Sequence, residues 1–333
     1  MMEQRRTNRT WPVVGHDWAV EILARSVISG RVSHAYLFSG PPQIGKTTLA
    51  RAFAQAINCT GAEPPCGVCR SCRRIASGIH PDVRIVQAEG SSIKINQIRE
   101  LQREAALSPV EGRRRVYIIR QIELATTEAA NCLLKTLEEP SARVVLILTT
   151  SDRDALLPTI VSRCQILTLH PLPIEQVQEV LVKRGVEEEQ ARLLARLSTG
   201  RLGWAISAAS DPASLRQRQQ RLDEMTALAG QGRVERFAYA ARLSRNPDTV
   251  RQTLDLWLSW WRDLLLLTSG SAVEITNLDR QAELENAARR YSLDQVYNTI
   301  VALRRAVWQL EHNANPRLLL ENLMLHWPSA QSV

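Results

Sequence analysis

Two groups of residues have the types and the spacing to do chemistry. The first, Gly40-Pro41-Pro42-Gln43-Ile44-Gly45-Lys46-Thr47-Thr48, fits G-x-x-x-x-G-K-[ST]. Its glycines would let backbone N–H groups curl around phosphate oxygens, and a helix opening at its end would add partial positive charge. Lys46 would reach the β- and γ-phosphates of ATP, or the β-phosphate of ADP, and the Thr47 hydroxyl would ligate Mg²⁺. A chance glycine turn is the competing explanation. Of 42 basic residues only four are lysines (46, 94, 135 and 183), and one of them falls where this chemistry needs a lysine. The second group is Cys59, Cys66, Cys69 and Cys72, spaced C-x6-C-x2-C-x2-C with Pro64-Pro65 and Gly67 turning the chain between them. Four thiolates this close can surround one tetrahedral Zn²⁺ and leave no open position, so the metal would be structural. An iron–sulfur cluster shares part of the spacing but lacks the downstream Cys-Pro. Disulfides do not suit an intracellular chain. Arg70, Arg73 and Arg74 decorate the module, as a solvated rim or a phosphate contact; Cys132 and Cys164 read as isolated core or interface thiols.

Elements that could hold these residues follow from the apolar pattern. Nearly continuous β-branched runs at 35–38, 83–86, 116–119, 144–148 and 166–169 read as strands buried on both faces of a parallel sheet. Helix-period segments near 46–57, 95–107 and 127–138 lie between them, which makes an α/β domain. After His170-Pro171 the strands stop. Three short helices are expected over 174–209, broken at Gly185 and Ser198-Thr199-Gly200. Residues 213–328 look helical throughout, with turns at Gly230-Gln231-Gly232, Asn246-Pro247, Ser269-Gly270-Ser271 and Asn315-Pro316. The expected layout is an α/β domain over 1–170 with a zinc module at about 59–72, a three-helix domain over 171–210, and an all-α domain over 211–333.

Composition narrows the class. The 333 residues are 44% apolar and 23% charged, too apolar for intrinsic disorder. The greasiest stretch, Leu254 to Leu267, is interrupted by Arg262 and Asp263, so no membrane span is expected. Met1 to Thr10 is polar and lacks the apolar core of a secretory signal, which points to a cytoplasmic protein. A formal charge of +8 suits DNA or an acidic partner, but it is spread along the chain. Trp257, Trp260 and Trp261 share one helical face, as a core stripe or as a packing face for another subunit.

Further motifs come in a fixed order: Val14-Gly15-His16, Ser33-His34-Ala35-Tyr36-Leu37-Phe38, the phosphate loop, the four cysteines, Gly78-Ile79-His80-Pro81-Asp82, Ala129-Ala130-Asn131 through Glu138-Glu139-Pro140, and Ser162-Arg163-Cys164. This order resembles the AAA+ clamp-loader subunits of bacterial DNA polymerase III, meaning the gamma/tau motor and the delta-prime stator. The likeness is specific over about 10–205 and rests on layout beyond. It implies a pentameric loader, held by a helical collar, that opens a ring-shaped sliding clamp and places it on primed DNA. Its partners would be gamma/tau motor subunits, the delta subunit and the clamp.

Departures from the motor pattern set the expected chemistry. A hydrolysing member carries an Asp supporting Mg²⁺ and a Glu polarising water after its third strand. Here those positions are Arg120 and Gln121; a slipped register in which Glu123 serves is the competing reading, but Glu123 lies further along and the match from Asn131 to Pro140 fixes the alignment without gaps. The motor's sensor arginine in the lid corresponds to Gly203, with Arg201 nearby, and Thr149 and Thr150 match the first sensor region or merely cap their strand. The resemblance gives Arg163 the role of a finger reaching a neighbour's γ-phosphate. The chain ends soon after its last helix, without the long extension of the tau form, which also favours the stator. The expectation is therefore a delta-prime-type stator that binds nucleotide without appreciable ATPase activity of its own. Two alternatives are an active motor subunit and a free-standing nucleotide-controlled DNA-binding protein.

Overall fold

A computed structural model describes residues 11–312 and 314–328; the polar start, Met1 to Thr10, lies outside them. The chain divides into two compact units, one running to Gln176 with Gly200–Trp204, the other Val177–Thr199 with Ala205 onward.

In the first unit the order is α1 (Asp17–Ile28), β1 (Ala35–Ser39), α2 (Lys46–Asn58), α3 (Arg70–Ala76), β2 (Val83–Val86), α4 (Ile95–Ala105), β3 (Arg115–Ile119), α5 (Thr127–Glu138), β4 (Val144–Thr150), α6 (Pro158–Val161) and β5 (Gln165–Thr168). The strands form one parallel sheet in the order β2-β3-β4-β1-β5. Alternate strand residues face opposite sides, so one row feeds each layer of core. Tyr36, Phe38, Val116, Ile118, Val145 and Ile147 pack with α1 and α2, on Leu23, Leu49 and Phe53. Leu37, Tyr117, Ile119, Leu146 and Leu148 pack with α4 and α5, on Ile98, Leu101, Leu133 and Leu137. Both faces are covered, which is why the strands read as unbroken apolar runs. The loops that leave the C-terminal ends of β1, β3 and β4 emerge along one edge, where ligands bind in open α/β sheets.

Helices continue with α7 (Ile174–Lys183), α8 (Glu188–Ser198), α9 (Leu202–Ser210), α10 (Pro212–Leu228), α11 (Arg233–Leu243), α12 (Pro247–Thr268), α13 (Gln281–Ala288), α14 (Leu293–Glu311) and α15 (Pro316–Leu325). The tryptophans of α12 lie inside the second unit. Trp257, Trp260 and Trp261 are buried, and Trp327 meets Trp257 and Trp261 edge-on at centroid distances of 4.9 and 6.0 Å. The stripe is core. No helix among the described residues is long and apolar enough to cross a membrane.

Candidate functional site: phosphate loop and cysteine cluster

The phosphate loop joins β1 to α2. Gly40 holds φ +143°, and a Cβ there would sit 2.4 Å from the Leu169 carbonyl oxygen, so the turn off β1 admits only glycine. Its N–H donates to the Thr150 oxygen at 3.2 Å, fastening the loop to the end of β4. Gly45, at φ +112°, opens α2 directly into Lys46, Thr47 and Thr48, leaving the first N–H groups of the helix available to an anion. The buried Lys46 folds back, donating to the Pro41 carbonyl at 2.8 Å and to that of Gly40. Burial pushes its ammonium down to about 8, opposed by the Glu123 carboxylate. His16, buried at the start of α1, contacts the Ile44 carbonyl through Nε2 at 3.1 Å and so braces the loop from the other side. A cavity of about 370 Å³ lies beside α2, lined by Thr47, Thr48 and Arg51 together with Pro12, Pro65 and Gly67.

Positions matching the motor's acidic pair follow β3 directly, since Ile119 pairs with Leu148 in register. Arg120 donates from Nη1 to Gln87 Oε1 at 3.1 Å, toward β2 and so to the side of β3 away from β1. The resemblance would put the Arg120 cation where the motor's metal-supporting carboxylate stands; the bond to Gln87 takes it the other way. Gln121 is left-handed at φ 50°, is exposed, and donates its backbone N–H to Thr149 Oγ1 at 3.1 Å. Thr150 Oγ1 donates to the Asp152 carbonyl at 2.7 Å, so both threonines serve to cap the strand. Glu123 returns toward β4 and accepts from the Ser151 backbone N–H at 2.9 Å and its hydroxyl at 2.5 Å. Spacing sets this carboxylate too far along the chain, and the left-handed turn at Gln121 brings it back.

Gly203, near the start of α9, donates its N–H to the Gln43 carbonyl at 2.8 Å. A Cβ at 203 would approach that oxygen to 2.6 Å, so an arginine at this position would displace the phosphate loop. Arg163 lies after α6. It is tied within its own chain, to Glu138 at 2.8 Å and to the Thr159 carbonyl at 3.0 Å, with a third of its side chain exposed.

All four sulfurs of Cys59, Cys66, Cys69 and Cys72 lie within 4.8 Å of one another. Zn–S bonds of about 2.3 Å would put the sulfurs roughly 3.8 Å apart, so the donors fit a tetrahedral ion after a small contraction. Backbone N–H groups of Gly61 and Cys66 point at Cys59 Sγ, and those of Cys69 and Cys72 at Cys66 and Cys69 Sγ, at 3.3–3.4 Å. Such donors favour thiolate. Burial acts to raise the Cys69 thiol, yet backbone N–H groups of Thr60 and Cys72 outweigh it and bring it to about 6. Burial raises Cys59 and Cys72 instead. Gln55 of α2 donates to the Cys72 carbonyl at 2.8 Å and docks the module on the phosphate-loop helix. Cys132 and Cys164 are free, half-buried and remote in sequence from the cluster.

Parallel sheet order, phosphate loop and cysteine-bearing insertion together define an AAA+ P-loop domain followed by helices. Sequence profiles of the DNA polymerase III delta subunit match residues 15–173, and those of its C-terminal part match 212–329. Subunit delta-prime of Bacillus subtilis DNA polymerase III is 33% identical over 310 residues, 92% of this chain and 94% of its own. Subunit tau of Salmonella typhimurium is 37% identical over 244 residues, covering 71% of this chain and 36% of tau. A gamma-subunit-related crystal structure from Thermotoga maritima aligns over 92% of this chain and 98% of its own at 17% identity, with a TM-score of 0.48. The chain belongs to the DNA polymerase III clamp-loader family of delta-prime and gamma/tau subunits, proteins of DNA replication.

Proposed function

We propose that the chain is the delta-prime-type stator of a clamp loader, binding ATP or ADP with Mg²⁺ but hydrolysing little or none. The reading rests above all on the turn after β3, where Arg120 and Gln121 stand in place of two carboxylates and Arg120 reaches toward Gln87. Without an acid in either position nothing there supports the metal or takes a proton from water. Gly203 agrees, because its close approach to Gln43 leaves no room for a sensor arginine. Likeness to a delta-prime subunit over nearly its whole length also supports this choice.

In this reading Gly40, Gly45, Lys46, Thr47 and Thr48 hold phosphate and metal, and residues 1–170, 171–210 and 211–333 are the nucleotide-binding, lid and collar domains. The cysteines hold one structural Zn²⁺. Arg163 leaves Glu138 on assembly and enters a neighbouring gamma/tau-type site, where its cation stabilises charge developing on the transferred phosphoryl group. Delta, the sliding clamp and primed DNA complete the partners, in the cytoplasm. A hydrolysing motor is the second reading, and Glu123 is the observation that favours it. Turnover separates the two. The purified chain should hydrolyse ATP at background, whereas robust hydrolysis abolished by Lys46→Ala would establish the motor.

A further inference from the structure

Glu123 is a carboxylate beside the phosphate loop that the family pattern does not assign. Strand β3 ends at Ile119, and the left-handed Gln121 turns the chain through a short 3-10 segment, Ile122–Leu124. The bond from the Gln121 N–H to Thr149 Oγ1 holds this turn against the end of β4. The side chain that comes back toward β4 is therefore that of residue 123.

Two bonds from Ser151 then fix the carboxylate. The backbone N–H and the hydroxyl of Ser151 both donate to Oε1, at 2.9 and 2.5 Å. Ser151 follows Thr150 directly, and the Thr150 oxygen accepts the Gly40 N–H at the mouth of the phosphate loop. A short chain of bonds thus runs from Glu123 to the loop. The other oxygen, Oε2, is buried without a hydrogen-bond partner. A buried carboxylate oxygen left unpaired is costly unless something is meant to meet it. Among the described residues Glu123 is also the carboxylate whose charge acts on Lys46.

We infer that Glu123 supports the Mg²⁺ of a bound nucleotide, through Oε2, in place of the acid that Arg120 has replaced. Mg²⁺ keeps most of its waters and needs only one or two carboxylates beside the phosphates and the Thr47 hydroxyl, so one well-held acid is sufficient. Ser151 is the positioning residue, because it leaves Oε2 as the free oxygen and orients it. The substitution at 120 then removes a carboxylate without removing metal-assisted binding. The inference rests on the reading of residues 40–48 as a nucleotide site.

The test is calorimetric binding of ADP and of ATP to the full-length chain, with Mg²⁺ and with EDTA. Wild type should bind more tightly with Mg²⁺. Glu123→Gln keeps an acceptor for Ser151 but loses the charge, and it should lower the Mg²⁺-dependent gain by about tenfold or more while leaving binding in EDTA unweakened. Glu123→Asp should recover part of the gain. Ser151→Ala, which keeps the backbone donor, should show a smaller loss, and it carries the test if Glu123→Gln melts early. No nucleotide binding by wild type in either buffer overturns the nucleotide site itself. Binding with a Mg²⁺ gain that survives Glu123→Gln, or with no Mg²⁺ gain in wild type, overturns the role of Glu123 alone.

Discussion

Removing metal from the cysteine cluster should unfold a defined segment and leave the sheet intact. Helix α3 has only seven residues and buries Ser71, Cys72 and Ile75. A helix so short has no stability of its own in water. Burying Ile75 contributes about 1.5–3 kcal/mol, and the Gln55 bond to the Cys72 carbonyl about 1 kcal/mol more. Ordering the backbone costs about 1–2 kcal/mol per residue, so over 59–76 these contacts fall far short. In the proposed reading, one ion joining the four sulfurs supplies most of the remainder, beside the bonds of Arg74 to Glu111. Chelation, or Cys69→Ser, should therefore open residues 60–76 while Leu49, Phe53 and the strands stay packed. Hydrogen exchange followed by mass spectrometry reads this directly. Amides of the segment should lose protection by at least about a hundredfold, roughly 2.7 kcal/mol, while those of β1 and β4 change little. Equal protection in metal-loaded and metal-free protein would mean that no ion holds the segment, and reduced protein that carries iron or no metal would rule out zinc.

Other outcomes follow from the loop. Burial holds the Lys46 ammonium at about 8 in the free protein, and a bound phosphate would restore it toward its usual range. The complex then binds more protons than the free chain, so nucleotide affinity should fall as pH rises above about 8. Calorimetry near that pH in buffers of different ionisation enthalpy should show proton uptake; none would place Lys46 away from the phosphates. Gly203→Ala forces a Cβ to within 2.6 Å of the Gln43 carbonyl and should destabilise by about 1–3 kcal/mol in denaturant unfolding. Unchanged unfolding would mean that loop and helix part freely.

Much of this architecture was legible because burial on both faces leaves a plain mark. Val144 to Leu148 is apolar without a break, since its alternate residues enter two different cores. Strand ends were harder to read. β4 runs on to Thr150, because its polar end is paired by Phe38 and Ser39 of β1. Helix α1 is missing from the sequence-based layout, although Leu23 and Ala24 pack in the first core. The cysteines and the phosphate loop were legible because their chemistry depends on neighbours in sequence. Glu123 stands in the sequence only as a competing acid set too far along; its place depends on a left-handed residue two positions earlier, and Gln121 does not announce such a φ. The contact of Gly203 with Gln43 joins residues far apart in the chain, and the local motif shows only that an arginine is missing. The destination of the tryptophan stripe was undecided for the same reason. Periodicity shows that a face is apolar; only Trp327 and Tyr291 meeting it show that the chain covers it itself.

If this chain serves hydrolysis in a neighbour and not in itself, Arg163 is the residue that decides it. Its bond to Glu138 is partly exposed and worth about 0–1 kcal/mol, so Arg163→Ala should leave folding, metal content and assembly intact. Steady-state ATP hydrolysis should be compared in loaders reconstituted with gamma/tau-type subunits, delta, clamp and primed DNA, carrying Arg, Ala or Lys at 163. With alanine the site served should slow by on the order of 10³–10⁵, and the whole complex by less, because other subunits serve other sites. Lysine should rescue poorly, since it offers a point charge without a planar fork. Equal rates for all three, with assembly verified, would mean that Arg163 serves no neighbour's site.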